Sequence, residues 1–544
     1  MLNYIWLSLI VLGIASGLYI DLSDISSNKY RNNEPFTLTL EFPSPVLKDT
    51  NAVYEGVAIV SAADYNSLYG DSLERDFNVP IILTVNETEK KSNIKLKIND
   101  SAPVLWKEMA KSSGNEDELL AGINFINADN PYNLNASIII APVSFIMMKK
   151  VTNESIGIAG VAVEIALGLI GIMALWLGVM KVAEDAGLIT KLANMIKPIT
   201  KKLFPEIPSD HPAIGAMIMN ISANMLGLGN AATPFGLKAM DELDKLNPKK
   251  GTATNSMVTF LAINTAGLTL IPVTAIAVRA AQGSANPAII IGTSIFGASC
   301  ATITGITAAK LFEKFPIAKG EFGNWFGENW KLPAAILLTI LFLLISSVTG
   351  LLSVIISAFS FINLEILKDV IQILSTVAIP FLILFFIGYG AIKKVKVYEQ
   401  FIEGAKDGFN IAVKIIPYLV AMLVAVGIFR AGGALDNIFI PVVRIITDPI
   451  GMPSEALLMA LMRPLSGSGS LGVMAETISV YGPDSFIGVL VSTFFGSTET
   501  TFYVLAVYFG AVSIRKTRHA VVVGLLADVA GILGALFIVK LMFS

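Results

Sequence analysis

Residues 491–504 read VSTFFGSTETTFYV. The flanks are apolar enough for a bilayer, yet Ser497, Thr498, Glu499, Thr500 and Thr501 stand together in the middle. In hydrocarbon every polar group must find an internal partner, and a charge at mid-bilayer costs at least about 2.5–3.5 kcal/mol. A crossing helix with this centre is therefore interrupted there and faces polar partners. That reading points to an all-α polytopic membrane protein organised around a polar midplane.

The rest of the chain agrees. Of its 544 residues 54% are hydrophobic and 15% charged, with a mean hydropathy of +0.68, unlike soluble domains. A net charge of −3 gives no footprint for nucleic acid. Cys300 lies in an apolar run and reads as a buried structural thiol, which leaves no disulfide framework. His211 and His519 fall in polar connections and read as ordinary loop residues. No metal site, cofactor or Ser-His-Asp arrangement is expected, and hence no enzyme.

Apolar runs of about 20 residues, the length that crosses hydrocarbon as a helix, fall near 4–20, 158–180, 253–279, 286–309, 333–357, 366–392, 409–430, 484–511 and 518–542. The first lacks the basic leading region of a signal peptide and is kept as a span. Two more stretches, 212–246 and 452–481, are interrupted at GLGNAATP (227–234) and RPLSGSGSLG (463–472). Glycine-rich polar breaks of this kind suit re-entrant hairpins that enter and leave on one side; a tight loop between two short full spans is the alternative. Neither glycine run is a phosphate-binding loop, because no Gly-Lys-Ser/Thr follows.

Residues 21–152 are different. TLTLEF, VYEGVAIVSA, VPIILTV, IKLKI and NASIIIAPVSF alternate or run as short β-type segments, and PVLWKEMAKS reads as one short helix. This is a soluble, mainly β insert. Clusters around Lys181 to Lys202, Lys245 to Lys250, Lys310 to Lys319, Lys393 to Lys396 and Arg515 to Arg518 should be cytoplasmic. One topology satisfies them all, with the amino terminus inside and the insert outside a bacterial cytoplasmic membrane.

The two halves also repeat weakly. GVMKVAEDAGLI (178–189) matches GIFRAGGALDNI (427–438), hairpin matches hairpin, FLAINTAGLTLIPVTAIAVR (260–279) matches FFGSTETTFYVLAVYFGAVS (494–513), and VAVEIAL (161–167) matches IAVKIIP (411–417). An odd number of spans separates the units, so they are inverted, the plan of many secondary transporters.

These motifs carry a family resemblance. Residues 1–20 and 158–312, with LWLGVMKVAEDAGL, LFPEIPSDHPAIG and NMLGLGNAATPFGLKAM, resemble the spore maturation A proteins. Residues 366–544, with GAIKKVKVYEQFIEGAKDG, RPLSGSGSLG, YGPDSFIG and GLLADVAG, resemble the spore maturation B proteins. The chain looks like a fusion of the two. The resemblance implies the nucleoside-recognition, or Gate, group, similar to domains of concentrative nucleoside transporters and of ferrous-iron transporter B, and a role in spore core dehydration. The insert departs from that pattern and points to an extracytoplasmic envelope partner or a lid. The implied organisation is a first transmembrane helix (1–20), the insert (21–152), an A-like repeat (153–312), a linker with an extra helix (313–365) and a B-like repeat (366–544).

In the repeat, Asn264 and Thr265 fall in the same part of the segment as Ser497 and Thr498, so both crossing helices should break near the midplane. Facing them are Asn220, Ser222, Asn224, Asn230 and Thr233 at one hairpin tip, and Arg463, Ser466, Ser468 and Ser470 at the other. With Glu499 and Thr500 these form a candidate site for a small polar solute. In it, tip amides and half-helix N-termini bind the solute while Glu499 supplies a counter-charge or a coupling proton. An Arg463–Glu499 ion pair that only fixes packing is the competing reading. Glu164 and Lys414 occupy equivalent repeat positions and are either a gating pair or snorkelling side chains. Asp528 is a further intramembrane acid, either functional or paired with a nearby base. The expected function is a secondary transporter, possible as a homo-oligomer in membrane lipid. The alternative is a non-transporting scaffold or receptor that docks an envelope partner through the insert.

Overall fold

The computed structural model describes residues 2–46, 52–86, 91–112, 117–127, 130–208, 210–314 and 364–543. The span expected at 333–357 lies outside these. The described chain forms two compact units. One comprises Leu7–Gly157 with Gly427–Phe439, the other Met1–Trp6, Ile158–Val426 and Ile440–Ser544.

In the first unit the insert is a closed antiparallel barrel. Its strands are β1 (Phe36–Glu41), β2 (Ala52–Val60), β3 (Phe77–Asn86), β4 (Lys91–Lys97), β5 (Glu118–Asn127) and β6 (Asn133–Ile140), each paired with the next, and β6 with β1. Alternation sets which residues face inward: Phe36, Leu38 and Leu40 of β1 are buried, as are Leu134, Ala136, Ile138 and Ile140 of β6. Phe36 stands opposite Ile138, and Leu40 opposite Leu134. Closure removes every free sheet edge. The core is aromatic. Trp106 of the helix Val104–Ser112 meets Phe77, Phe36 and Tyr65 edge-on, with ring centroids 5.5, 5.9 and 5.9 Å apart.

One helix was expected in the insert; the described residues of the barrel region hold two. The second, Ala62–Tyr69, is capped by Ser61, whose hydroxyl accepts from Asp64 N, and ends at Gly70 with φ 71°. Its short AADYNSLY run offers too little periodicity to stand out. Strand β5 was also missed, because ELLAGINFIN mixes an apolar run with glycine.

Chain entry and exit are tied together. Asn32 donates from Nδ2 to Val143 O (2.8 Å) and accepts from Val143 N (2.9 Å). The first helix, α1 (Leu2–Ser26), runs past the expected boundary at 20 and carries Asp21. That buried carboxylate accepts from Met147 N (2.9 Å) and Met148 N (2.8 Å), at the start of the long helix Ile146–Asp185. A side chain from a distant helix thus supplies the cap that the local sequence lacks.

The second unit is helical. Among the described residues five helices are long and apolar enough to cross a membrane, or six if Leu435–Ile450 and Ser454–Met462, bent by 94°, count as one span. Ile146–Asp185, Pro287–Leu311, Val397–Ala431 and Ala520–Phe543 lie wholly or largely in this unit, whereas α1 belongs mostly to the first. The segments 212–246 and 452–481 are helix-turn-helix pairs, Pro212–Met225 with Gly229–Lys245 and Ser454–Met462 with Gly467–Tyr481. His211 caps the first of these through Nδ1, which accepts from Ala213 N at 3.2 Å.

The stretches 253–279 and 484–511 are each two half-helices: Asn255–Ala266 and Val273–Ala281, then Phe486–Ser497 and Thr501–Ala511. The first break, Gly267–Pro272, is longer than the second, Thr498–Thr500, so the ungapped repeat alignment slips beyond it. Two helices, Ile290–Leu311 and Ala520–Phe543, pack closely through small residues. A Cβ on Gly305 would lie 3.2 Å from that of Ala527, and one on Gly531 3.2 Å from that of Ala301. Cys300 is half-buried there rather than fully buried, and His519, expected in a polar connection, is buried at 6% exposure where Ala520–Phe543 begins.

Each broken helix is clasped to the start of the other by an arginine. Arg279, fully buried, donates to Pro483 O, to Asp484 Oδ1 (2.8 Å) and to Ser284 Oγ (3.1 Å). Arg518 donates to Ala253 O (3.3 Å) and Asn255 Oδ1 (2.7 Å). Burial works against the Asp484 carboxylate, but the Ser284 hydroxyl, the Ala285 N–H and Arg279 together hold it below the usual carboxylate range.

Two outcomes follow. Asp21→Ala should lower stability by about 1–2 kcal/mol, the upper part of the range for a lost helix cap, read as thermal unfolding in detergent. Asp484→Ala should cost about 1–3 kcal/mol by removing the charged acceptor that faces buried Arg279. Because the Asp484 pKa is depressed on folding, its contribution is full above the ordinary carboxylate range and is lost only as pH falls through the lowered value. A melting series in acid should therefore show wild type converging on the variant, and parallel curves would contradict the clasp.

Candidate functional site

The breaks and hairpin turns solve one problem together. Glu499 N donates to Thr265 O (2.9 Å), joining break to break; Leu270 N donates to Met225 O (2.8 Å) and Phe502 N to Pro464 O (3.0 Å), joining each break to a hairpin turn. Gly267 closes Asn255–Ala266 with φ 57°, and a Cβ there would lie 3.2 Å from both Cβ and N of Glu499. Only glycine allows that approach in that conformation. Thr498 and Thr500 hold the second break extended.

Beside this crossing is a cavity of about 480 Å³, within the range of small-molecule sites. Its walls include Asn224, Gly227 and Leu228 of the first hairpin, Thr269, Ile271 and Pro272 of the first break with Val273 and Thr274 after it, Arg463 of the second hairpin, and Phe495, Thr498 and Glu499 of the second broken helix. Arg463 is 3% exposed and Glu499 48% exposed, with Nη2 and Oε2 3.6 Å apart. The guanidinium also donates to Thr498 O and lies 4.4 Å from the centroid of the Phe495 ring. The half-helix Val273–Ala281 and the hairpin helix Gly229–Lys245 start at the cavity wall, at Pro272 and Leu228, without a side-chain cap. A helix start carries the positive end of the helix dipole.

Of the residues singled out in the sequence, Asn224, Arg463, Thr498 and Glu499 line the cavity. Asn220 and Asn264 are buried behind it in an amide network. Asn224 Nδ2 donates to Asn264 Oδ1 (3.0 Å), and Asn220 Nδ2 donates to Ala232 O (2.8 Å) and Tyr508 Oη (3.2 Å). The hydroxyls mostly serve their own helices: Ser222 donates to Ile218 O, Ser470 to Ser466 O and Ser497 to Thr493 O. Ser466 caps Gly467–Tyr481 by accepting from Gly469 N (2.9 Å), with Ser468 Oγ 3.5 Å away. Thr265 is buried in the last turn before the first break and Thr500 in the second break, and Thr233 is half-buried on its helix. The side chain of Asn230 lies outside the described residues.

Glu164 and Lys414 are both exposed and form no ion pair with each other, so the structure does not bring the expected gating pair together. Asp528 is buried, and its partner is a hydroxyl rather than a base: Thr501 Oγ1 donates to Oδ2 at 2.5 Å.

Sequence reasoning missed four groups. Lys181, Glu184 and Asp407 line the cavity, with Lys181 3.3 Å from Glu184 and 3.1 Å from Asp185. Lys181 was read only as a cytoplasmic loop charge, although GVMKVAEDAGLI was already marked as part of the repeat. Tyr508 ties the amide network to the second crossing helix and stacks on Phe260 at 6.1 Å; its one signal was a phenol in an otherwise apolar run.

The comparisons with known proteins fit this geometry. The family model described as Gate, nucleoside recognition, matches residues 166–281 and 412–515, stretches that hold both hairpins and both breaks. Spore maturation protein B of Bacillus subtilis (strain 168) is 51% identical over 176 residues, 32% of this chain and 98% of that protein. Spore maturation protein A of the same organism is 48% identical over 151 residues, 28% of this chain and 77% of that protein. The two cover different halves, as in a fusion. No solved structure matches the chain. With both broken helices inside the matched regions, the chain belongs to the Gate, or nucleoside-recognition, family of membrane proteins and joins a half similar to spore maturation protein A to a half similar to protein B.

Proposed function

We propose that the protein is a secondary transporter that moves a small polar or charged solute through the cavity between the two hairpin turns. The observation that carries this reading is the exposed Glu499 carboxylate beside a buried arginine, both on the cavity wall. A charge pair whose only task was packing would be shielded on both sides, because half-exposed ion pairs add little stability. Here one partner is open to the cavity. Arg463 and the uncapped N-termini offer donors to an acidic or carbonyl group, and Glu499 offers an acceptor to a basic or hydroxyl group. The paired hairpins and broken helices suit alternating access around a fixed midplane site.

In this reading the chain crosses a bacterial cytoplasmic membrane several times, with the amino terminus inside and the barrel outside, as the lysine clusters favour. The family description makes nucleosides the first probes, with amino acids and inorganic anions beside them. The scaffold reading has one observation in its favour: Val53, Ile126 and Tyr132 expose apolar surface on the insert, where an envelope partner would dock.

The test is flux into proteoliposomes carrying labelled nucleosides, amino acids or phosphate. Glu499→Gln and Arg463→Ala should each reduce uptake of the transported solute roughly tenfold to a hundredfold, the consequence of losing a hydrogen bond to a charged group worth about 1.5–3 kcal/mol. Both should elute from gel filtration like wild type. Full uptake in both variants would remove the central site, and a phenotype lost on deleting the barrel while both point variants behave normally would favour the scaffold.

A further inference from the structure

Three ionisable side chains surround the second break: Arg463, Glu499 and Asp528. One guanidinium lies within electrostatic reach of two carboxyl groups. Arg463 lies 3.6 Å from Glu499, whose own side chain is 48% exposed to the cavity. Asp528 is 1% exposed and has no ion pair among the described residues. Its Oδ2 meets Thr501 Oγ1 at 2.5 Å, while its Oδ1 has no hydrogen-bond partner.

The elements around Asp528 bring no further compensating charge. Helices Asn255–Ala266 and Phe486–Ser497 carry no ionisable side chain, Ile290–Leu311 carries only Cys300 and Lys310, and Thr501–Ala511 only Tyr503 and Tyr508. The Asp528 helix itself adds Lys540, three turns away, which donates to Ile450 O. A carboxylate with one hydroxyl donor and no counter-ion is costly to bury, whereas the neutral acid is not. The Thr501 hydroxyl donates to Oδ2, and a neutral acid that carries its proton on Oδ1 accepts that bond as the charged form does, so the contact survives either state.

Location gives this proton a consequence. Thr501 is the first helical residue after the break, two positions from Glu499, and its neighbour Phe502 is bonded to Pro464, next to Arg463. We propose that Asp528 is a proton-binding site coupled to the transport site, protonated in the conformation described here so that Arg463, Glu499 and Asp528 together are neutral. Loss of that proton gives Arg463 a second carboxylate to face and loosens its hold on Glu499. Proton occupancy at Asp528 then biases the charge pair on the cavity wall. This rests on the transport reading above.

Infrared spectroscopy of the purified protein in lipid nanodiscs, titrated from acid to alkaline pH, tests it without any solute. Wild type should show the carbonyl band of a protonated, buried carboxyl group at neutral pH. Asp528→Asn should remove that band, Glu499→Gln should leave it, and Thr501→Val should shift its frequency while keeping it. A neutral-pH spectrum without the band, or a band that survives Asp528→Asn, overturns the assignment even if flux is intact. A band behaving as described in a protein that moves no solute leaves the proton site standing and removes the transport reading instead.

Discussion

Two helices broken inside an apolar bundle leave backbone N–H and C=O groups that water cannot reach, and most of the second unit is arranged to satisfy them. The breaks bond to each other through Glu499 N and Thr265 O, and each takes one bond from or to a hairpin turn. Once those bonds are required, the turns have nowhere else to sit. Arg463, the residue that ends Ser454–Met462, is then carried to the second break, where it covers the Thr498 carbonyl. The cavity is what remains between segments that bond by backbone and so cannot fill the space with side chains.

The same arrangement is repeated with different chemistry in each half. Arg279, in the last turn of one broken helix, and Arg518, in the connection after the other, each reach the start of the opposite broken helix. Around the first hairpin the partners are amides, Asn220, Asn224 and Asn264, with Tyr508 reaching in from the second half. Around the second they are charges. Where the first break has Gly267, pressed against Glu499, the second has Glu499 itself. Two halves that each hold a helix pair and a broken helix can therefore divide the work, one giving a neutral polar wall and the other a charged one.

How much of this was legible depended on which force spoke through the residue type. The breaks were legible at Ser497 to Thr501 and at the hairpin glycines, because polar groups in hydrocarbon leave few alternatives. Convergence of Asn224, Arg463 and Glu499 followed from the repeat. The hydroxyls were not legible: Ser470 and Ser497 bond back to their own helices, an option open to any helical serine. Lys181 and Glu184 were hidden because a charged residue near a span end reads equally well as loop or wall. Glu164 and Lys414 shared a repeat position without sharing a contact.

The sequence by itself determined that the chain is a membrane protein, where its polar breaks lie, that a mainly β insert follows the first helix, and which family its two halves resemble. These follow from solvation and periodicity, which act on each stretch locally. Tertiary structure alone decided that the β segments close into a barrel, since closure depends on pairing β1 with β6 across the whole insert. It decided that Asp21 caps a helix more than a hundred residues away, and that Asp528 meets Thr501 rather than a base. A partner distant in sequence is chosen by packing, and packing is a property of the assembled chain.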